Sequence, residues 1–256
     1  MADDGIDCLY VNGTASEFYA QSREDFQQIV DVFLDELKGR GVRTQIGCNA
    51  TYTDGVICMI DYVISRGADG VQVVVPFWEK LSLPEIVQYF ANLSKAFPDV
   101  GITHYNHPRS KWVLGPKDYR EIVQVCPNLI GVKHKGEVAS VQHFQAILPE
   151  LCICVGEHIL ALACMVGARG SYVTLPYIHR GLARKYGQTI KEKDWIKSLE
   201  YQAMIGQFFE EVEAASGYDG PGIDKLLGVA SGYLTGSVRL RKPCFSPTSA
   251  QVEAAR

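Results

Sequence analysis

The sequence has little excess charge and no long apolar run. Its 256 residues carry 25 Lys and Arg against 29 Asp and Glu, a formal net charge of −4, with no basic run interleaved with aromatic residues. A nucleic-acid partner is not expected, because binding to phosphates needs a basic surface. The longest apolar runs are strand-sized, short of the roughly 20 residues of a membrane helix, and the acidic residues 1–4 do not resemble a signal peptide. The sequence therefore predicts a cytoplasmic protein with no membrane partner.

Paired cysteine motifs are also missing. Eight cysteines are scattered without a CxxC pair, mostly inside apolar runs, and are interpreted as buried thiols of a reducing compartment. Cys152 and Cys154 would point to one face of a strand and could hold a metal, but no second ligand pair stands at zinc spacing. His104 and His107 lack an acidic pair or a third histidine at suitable spacing. No metal site and no cofactor are predicted.

What the chain does contain is an alternation of strand-like and helical segments. The strand-like runs are residues 7–11, 44–47, 70–75, 101–105, 129–133, 151–155 and 170–174. Ser22 with Asp25, and Ser82 with Glu85, are helix-start signals between them. Such alternation predicts parallel βαβ units, in an open doubly wound sheet or a closed barrel. No GxGxxG or GxxxxGK[ST] follows the first strand, which argues against a nucleotide-binding sheet, while seven strands are one too few for a (β/α)8 barrel.

After Tyr177 the alternation stops. Apolar residues at helical spacing predict one helix over residues 190–215 and another over 222–229. Because the composition does not change there, we expect a barrel over residues 1–178 and a helical extension over 179–256 packed on it.

Lys133 ends one of the strand-like runs. Lysine is rarely buried unless paired, and desolvation lowers its pKa from about 10.4 towards neutrality, which leaves an amine able to attack a carbonyl. On this run alone, a lysine that extends into water is the simpler interpretation. Tyr105 and Gly13-Thr14 stand at the ends of two earlier runs. Because active sites of barrels lie at the carboxyl ends of the strands, the position of Tyr105 and Gly13-Thr14 at two other strand ends favours a catalytic role for the Lys133 amine.

Four segments, in order, resemble motifs of the dihydrodipicolinate synthase/N-acetylneuraminate lyase family of class I pyruvate-dependent aldolases. They are residues 11–17 (VNGTASE, for the family's GTTGE), 75–78 (VPFW, for PYY), 104–108 (HYNHP, for YNxP) and 130–133 (IGVK, for GxK). The resemblance implies a (β/α)8 TIM barrel with a C-terminal helical segment, working as a homo-oligomer, a dimer or tetramer. The family has one more strand and helix before residues 5–11, so the barrel is predicted to lack its first strand and helix.

The resemblance also assigns roles. Lys133 would form a Schiff base with pyruvate or another 2-oxo acid, Tyr105 would shuttle protons and Thr14 would relay them. Backbone N–H groups of the turn Gly13-Thr14-Ala15 would hold the carboxylate. Ala15 and Ser16 depart from the family's Thr-Gly, which removes a hydroxyl and replaces a residue suited to positive φ.

The second substrate is predicted to be a non-acidic aldehyde. Relatives that accept a carboxylate-bearing aldehyde have an arginine shortly after YNxP, and the aligned residue here is Ser110, although Arg109 and Lys111 flank it. Trp78 stands where the lysine-biosynthesis enzymes have a tyrosine that relays a proton across a subunit interface, and an indole cannot do this.

Aromatic residues point to the hydratase-aldolase branch, whose members cleave or build arylidene-pyruvates. An aromatic or apolar pocket, with core packing as an equally weighted alternative, is expected from Phe77, Trp78, Tyr172 and Tyr177. The sequence thus predicts a Schiff-base aldolase or lyase that makes or breaks a C–C bond between pyruvate and such an aldehyde, with or without hydration or dehydration. The alternatives are a catalytically impaired barrel acting as a binding or scaffold protein, dihydrodipicolinate synthase, and a sugar-acid aldolase or dehydratase.

Overall fold

Parallel strands with buried apolar residues at alternate positions build the sheet. The computed structural model describes residue 6, residues 8–218 and residues 220–256. Asp7, predicted to begin the first strand, and residues 1–4, interpreted above for targeting, lie outside the described residues. The strands are β1 (Cys8–Val11), β2 (Arg43–Gly47), β3 (Gly70–Val73), β4 (Gly101–Asn106), β5 (Leu129–His134), β6 (Cys152–Gly156) and β7 (Gly170–Tyr172). Each predicted strand is present, with ends that differ by at most two residues.

The seven strands form one parallel sheet in the order β1 to β7, each hydrogen-bonded to its neighbour in the chain. Within the described part of the chain, β1 and β7 do not pair with each other. The sheet curls into a partial (β/α) barrel, which confirms this much of the predicted fold class, with an opening between β1 and β7.

Helices follow the strands and continue beyond them. They are α1 (Arg23–Leu37), α2 (Thr53–Ser65), α3 (Leu83–Ala96), α4 (Pro116–Val125), α5 (Val138–Ile147), α6 (Leu160–Met165), α7 (Leu175–Ile178), α8 (Arg180–Lys191), α9 (Trp195–Ser216), α10 (Ile223–Ala230) and α11 (Ser249–Ala254). Both predicted capping boxes are confirmed, since Ser22 and Asp25 cap α1 while Ser82 and Glu85 cap α3.

The predicted helix over residues 190–215 is wrong at its start. Lys193 has a φ of 58° and ends the path of α8, and the Asp194 side chain accepts a hydrogen bond from the N–H of Lys197 at 3.2 Å to begin α9. A left-handed residue followed by an aspartate cap separates two helices that share a continuous apolar spacing. No helix within the described ranges is long and apolar enough to cross a membrane.

The core lies between the sheet and the helices. Outward-facing strand residues such as Ile46, Ile102 and Ile153 pack against the helical layer, and the same cluster extends to Tyr186 of α8 and Ile205 of α9. Alternate residues therefore face the barrel interior. The division at residues 178 and 179 stays a prediction.

Candidate active site

Lys133 lies inside a group of three phenols. In the β4/β5 ladder its partner is Tyr105, so both side chains enter the barrel at the carboxyl ends of their strands. The Lys133 Nζ lies 4.1 Å from the centroid of the Tyr105 ring and 4.6 Å from that of Tyr172, on β7. A third ring, Tyr10 of β1, has its centroid 5.6 Å away. The predicted proximity of amine and phenol is observed, and sequence reasoning missed Tyr10.

This setting changes the protonation of the amine. Desolvation lowers the pKa of Lys133 to about 8, and the charge of Lys135 acts in the same direction. The carboxyl groups of Asp224 and Glu157 oppose the shift, as does the Cys154 thiol. Burial is the largest effect, so the neutral form is far more populated than in an exposed lysine.

The phenol beside Lys133 has a raised pKa. Burial raises the pKa of Tyr105, the charge of Arg109 lowers it, and Asp224 raises it again. The Tyr105 ring also meets the ring of His107 edge-on, with centroids 5.0 Å apart. Tyr105 is therefore protonated at neutral pH and can donate a proton.

The turn after β1 offers backbone donors. The Ser16 N–H donates to the Gly13 carbonyl at 3.1 Å, whereas among the described residues the N–H groups of Gly13, Thr14 and Ala15 find no acceptor in the chain. The positive φ angles nearby belong to Asn12, at 66°, and Glu17, at 56°. Ser16 is not in that conformation, so the serine in place of the family's glycine causes no backbone strain there.

The proton relay predicted for Thr14 stays a prediction. Among the described residues, the Thr14 hydroxyl makes no hydrogen bond to Tyr105. Thr14 is partly buried, and the N–H of Glu17 donates to its carbonyl at 2.9 Å.

Two carboxyl groups that the sequence reasoning missed act on the charge of the amine, one of them buried and the other partly buried. Glu157 follows β6, is 5% exposed, and accepts hydrogen bonds from the N–H of Thr174 at 3.0 and 3.1 Å. Asp224 lies on α10, and its neighbour Tyr177 lowers the pKa of its carboxyl group. Burial raises the pKa of both carboxyl groups. Both are remote from Lys133 in sequence and carry no local motif.

Glu17, the last residue of the VNGTASE segment, ties α10 to the barrel. It is 3% exposed, and its carboxylate accepts from the Lys225 Nζ at 2.6 Å and from the N–H of Arg241 at 2.7 Å. Since Lys225 follows Asp224 in α10, this ion pair brings the Asp224 carboxyl to the mouth of the barrel.

The aromatic side chains predicted to line one pocket divide into two groups. Tyr172 contacts the amine and Tyr177 lies near Asp224, but Phe77 packs on Phe18 with centroids 6.0 Å apart, and Trp78 is 73% exposed. Within the described part of the chain, no ring contact joins the two groups.

The loop after YNxP shows which predicted residue carries charge near the site. Ser110 is buried, and Lys111 Nζ donates to the Trp78 carbonyl. Arg109 is exposed, yet its charge lowers the pKa of both Tyr105 and His107. A cation is therefore present beside Tyr105.

Two histidines adjacent in sequence to the site residues face away from it. His104 pairs with the Tyr119 hydroxyl at 2.5 Å and packs on Phe90, and His134 pairs with the Ser140 hydroxyl at 2.5 Å. Burial lowers the pKa of His104 to about 3 and that of His134 to about 4. Both belong to the layer between sheet and helices.

A parallel barrel sheet with a desolvated lysine at the end of one strand and a phenol on the next defines the class of lysine-bearing barrel proteins to which class I aldolases belong. The chain belongs to the dihydrodipicolinate synthetase family, whose sequence model matches residues 1–227.

Curated relatives are named 4-hydroxy-tetrahydrodipicolinate synthase. A 4-hydroxy-tetrahydrodipicolinate synthase of Thermus thermophilus is 30% identical over 175 residues, 67% of this chain and 58% of that protein. One of a Thermoanaerobacter species is 26% identical over 147 residues, 57% of this chain and 49% of that protein. The chain thus spans about half of the length of the curated relatives it matches.

Solved structures share the fold. YagE, a prophage protein of the dihydrodipicolinic acid synthase family from E. coli K12, in complex with pyruvate, has a TM-score of 0.86 at 19% identity, covering 99% of this chain and 86% of that one. A catalytic lysine mutant of the Ruminococcus gnavus sialic acid aldolase has a TM-score of 0.86 at 21% identity, covering 99% of this chain and 83% of that one. At these identities the likeness shows the fold alone.

Proposed function

We propose that this chain is a Schiff-base-forming class I aldolase or lyase acting on pyruvate or a related 2-oxo acid. The observation that carries the proposal is the Lys133 amine, with a pKa lowered to about 8 inside three phenol rings. At pH 7 such an amine is about one-eleventh neutral, against about one part in 3,000 for an ordinary lysine. The neutral amine adds to the ketone carbon, water leaves, and the iminium accepts the electrons of a C–C bond that breaks, or yields the enamine that forms one.

Protons in this scheme pass through Tyr105. Its ring lies 4.1 Å from the Lys133 Nζ, and its raised pKa keeps the phenol protonated until the substrate needs the proton. Thr14 remains the relay that the family resemblance suggests. Asp224, which is close enough to raise the pKa of both Tyr105 and Lys133, is a second acceptor for the proton.

The 2-oxo acid carboxylate would bind at the turn Gly13-Thr14-Ala15. Its N–H groups are available, and successive backbone amides attract an anion. For the aldehyde we propose a non-acidic compound, with an aromatic or apolar group near Tyr172. Glu157 and Asp224 place two carboxyl groups by the amine and the 2-oxo acid adds a third, so the carboxylate of an acidic aldehyde would be the fourth and is electrostatically disfavoured.

A second candidate is an aldehyde that carries a carboxylate, as in the dihydrodipicolinate synthase reaction. The observation that favours it is Arg109, whose charge reaches Tyr105. A panel of aldehydes offered with pyruvate separates the two candidates. Faster turnover of aromatic aldehydes supports the first, and turnover of aspartate semialdehyde that falls in Arg109→Ala supports the second.

Trapping with borohydride tests the shared step. The wild type and the control Lys135→Arg, a change at an exposed lysine two residues away, should gain the mass of one reduced pyruvate. Lys133→Arg should gain none. A folded wild type that stays unmodified would instead favour the binding or scaffold protein.

We also propose a homo-oligomer, a dimer or tetramer. Trp78 is 73% exposed at the motif position that, by the family resemblance, faces a neighbouring subunit. Sedimentation equilibrium of the wild type and of Trp78→Ala would test whether this indole is covered by a second copy.

A further inference from the structure

The opening between β1 and β7 is a path by which water could reach the Lys133 amine. The edges of these two strands are not joined in the described part of the chain, and an open edge admits water. Lys133 lies two strands from β7 and is nevertheless desolvated. Among the described residues, the side chains that meet across this gap are the ones placed to exclude water from it.

Two tyrosines meet across the gap. The Tyr10 ring, from β1, and the Tyr172 ring, from β7, pack edge to face with centroids 5.3 Å apart and an interplanar angle of 85°. The Tyr10 hydroxyl donates to Gln72 Oε1 at 2.6 Å, and the Tyr172 hydroxyl donates to Gln45 Oε1. Each ring is thus held by a glutamine that faces the barrel interior.

Glycines leave the space that the Tyr10 ring fills. A Cβ added at Gly13 would lie 2.7 Å from Tyr10 Cε1 and 2.8 Å from its hydroxyl oxygen. One added at Gly47 would lie 3.0 Å from the same hydroxyl. Tyr10 therefore packs directly beneath the turn that offers its N–H groups to a carboxylate.

We propose that Tyr10 is a positioning residue of this site, which closes the opening between β1 and β7 together with Tyr172, supports the Gly13 turn and keeps water from the Lys133 amine. The inference rests on the proposed function in one respect, namely that a desolvated Lys133 amine serves Schiff-base formation. Its physical content, a wall formed by the Tyr10 and Tyr172 rings, can be measured without any substrate.

Competitive labelling with trace acetic anhydride, read by peptide mass spectrometry, tests the wall because only the neutral amine reacts. The pH midpoint of Lys133 labelling should rise by about one unit or more in Tyr10→Ala, as water reaches the amine. In Tyr10→Phe, which keeps the ring and loses only the bond to Gln72, the midpoint should stay within about 0.3 units. Tyr52→Ala, at an exposed tyrosine, is the matched control and should not shift.

An unshifted midpoint in folded Tyr10→Ala would overturn the inference, as would an equal shift in Tyr52→Ala. If circular dichroism shows that Tyr10→Ala does not fold, Tyr172→Ala opens the same gap from the other edge and is judged by the same criterion. Absence of pyruvate trapping would count against the proposed function alone, since the labelling midpoint does not involve pyruvate.

Discussion

The pH dependence of Schiff-base formation follows from the lowered pKa of Lys133. With a pKa of about 8, the neutral fraction of the amine is about 1/11 at pH 7 and about 10/11 at pH 9. An ordinary lysine, at a pKa near 10.5, would go from about 1/3,000 to about 1/30 over the same range. The initial rate of pyruvate trapping at subsaturating pyruvate should therefore rise about tenfold from pH 7 to 9 and then level off.

Intact-mass spectrometry after timed reduction with cyanoborohydride would give these rates, with Nα-acetyl-lysine as the unperturbed reference. The free amine should show a rise of about a hundredfold over the two units and no plateau by pH 9. A protein that followed the reference, with a rate that still climbed past pH 10, would refute the desolvated amine.

Four further predictions concern stability and turnover. Lys133→Met should raise the free energy of unfolding at pH 7 by up to about 3 kcal/mol, because the folded-state pKa lies below the unfolded one and the desolvated ammonium is penalised fully below pH 8. Lys95→Met, at an exposed lysine of α3, is the control. The same linkage predicts that wild-type stability rises between pH 8 and 10.5 in urea titrations, and a flat profile would contradict it. Tyr105→Phe should keep the borohydride adduct and lose turnover, whereas wild-type turnover would show that the phenol is not the proton shuttle. Lys225→Met should lower the free energy of unfolding by about 3 kcal/mol, since it leaves the buried Glu17 carboxylate without the cation of its ion pair. Adding Glu17→Gln should recover most of the loss in a double-mutant cycle.

Local signals in the sequence were sufficient for most of the framework. Strand runs bounded by turn residues predicted all seven strands, and the side chains of Ser22 and Ser82 predicted two helix starts that the structure contains. The break at Lys193 was not predicted, because a lysine with positive φ has no compositional signature. The edge left open by β1 and β7 followed only from the family resemblance.

For the site, the sequence could predict those contacts that join residues at the ends of neighbouring strands. Lys133 and Tyr105 stand near the carboxyl ends of two neighbouring parallel strands, so their proximity follows from the topology of the sheet. Asp224 could not be predicted, because its position near the amine depends on how α10 is held against the barrel. The ion pair that holds α10 joins Glu17 and Lys225, which are 208 residues apart in the sequence. Tyr10 could have been predicted from strand alternation, because its side chain faces the same barrel interior as Lys133.

Peptide mapping of the reduced pyruvate adduct tests the central claim most directly. After borohydride reduction and digestion, one peptide, the one that contains Lys133, should carry the modification at near-stoichiometric yield. Label spread over the exposed lysines, or found on a peptide without Lys133, would contradict the account.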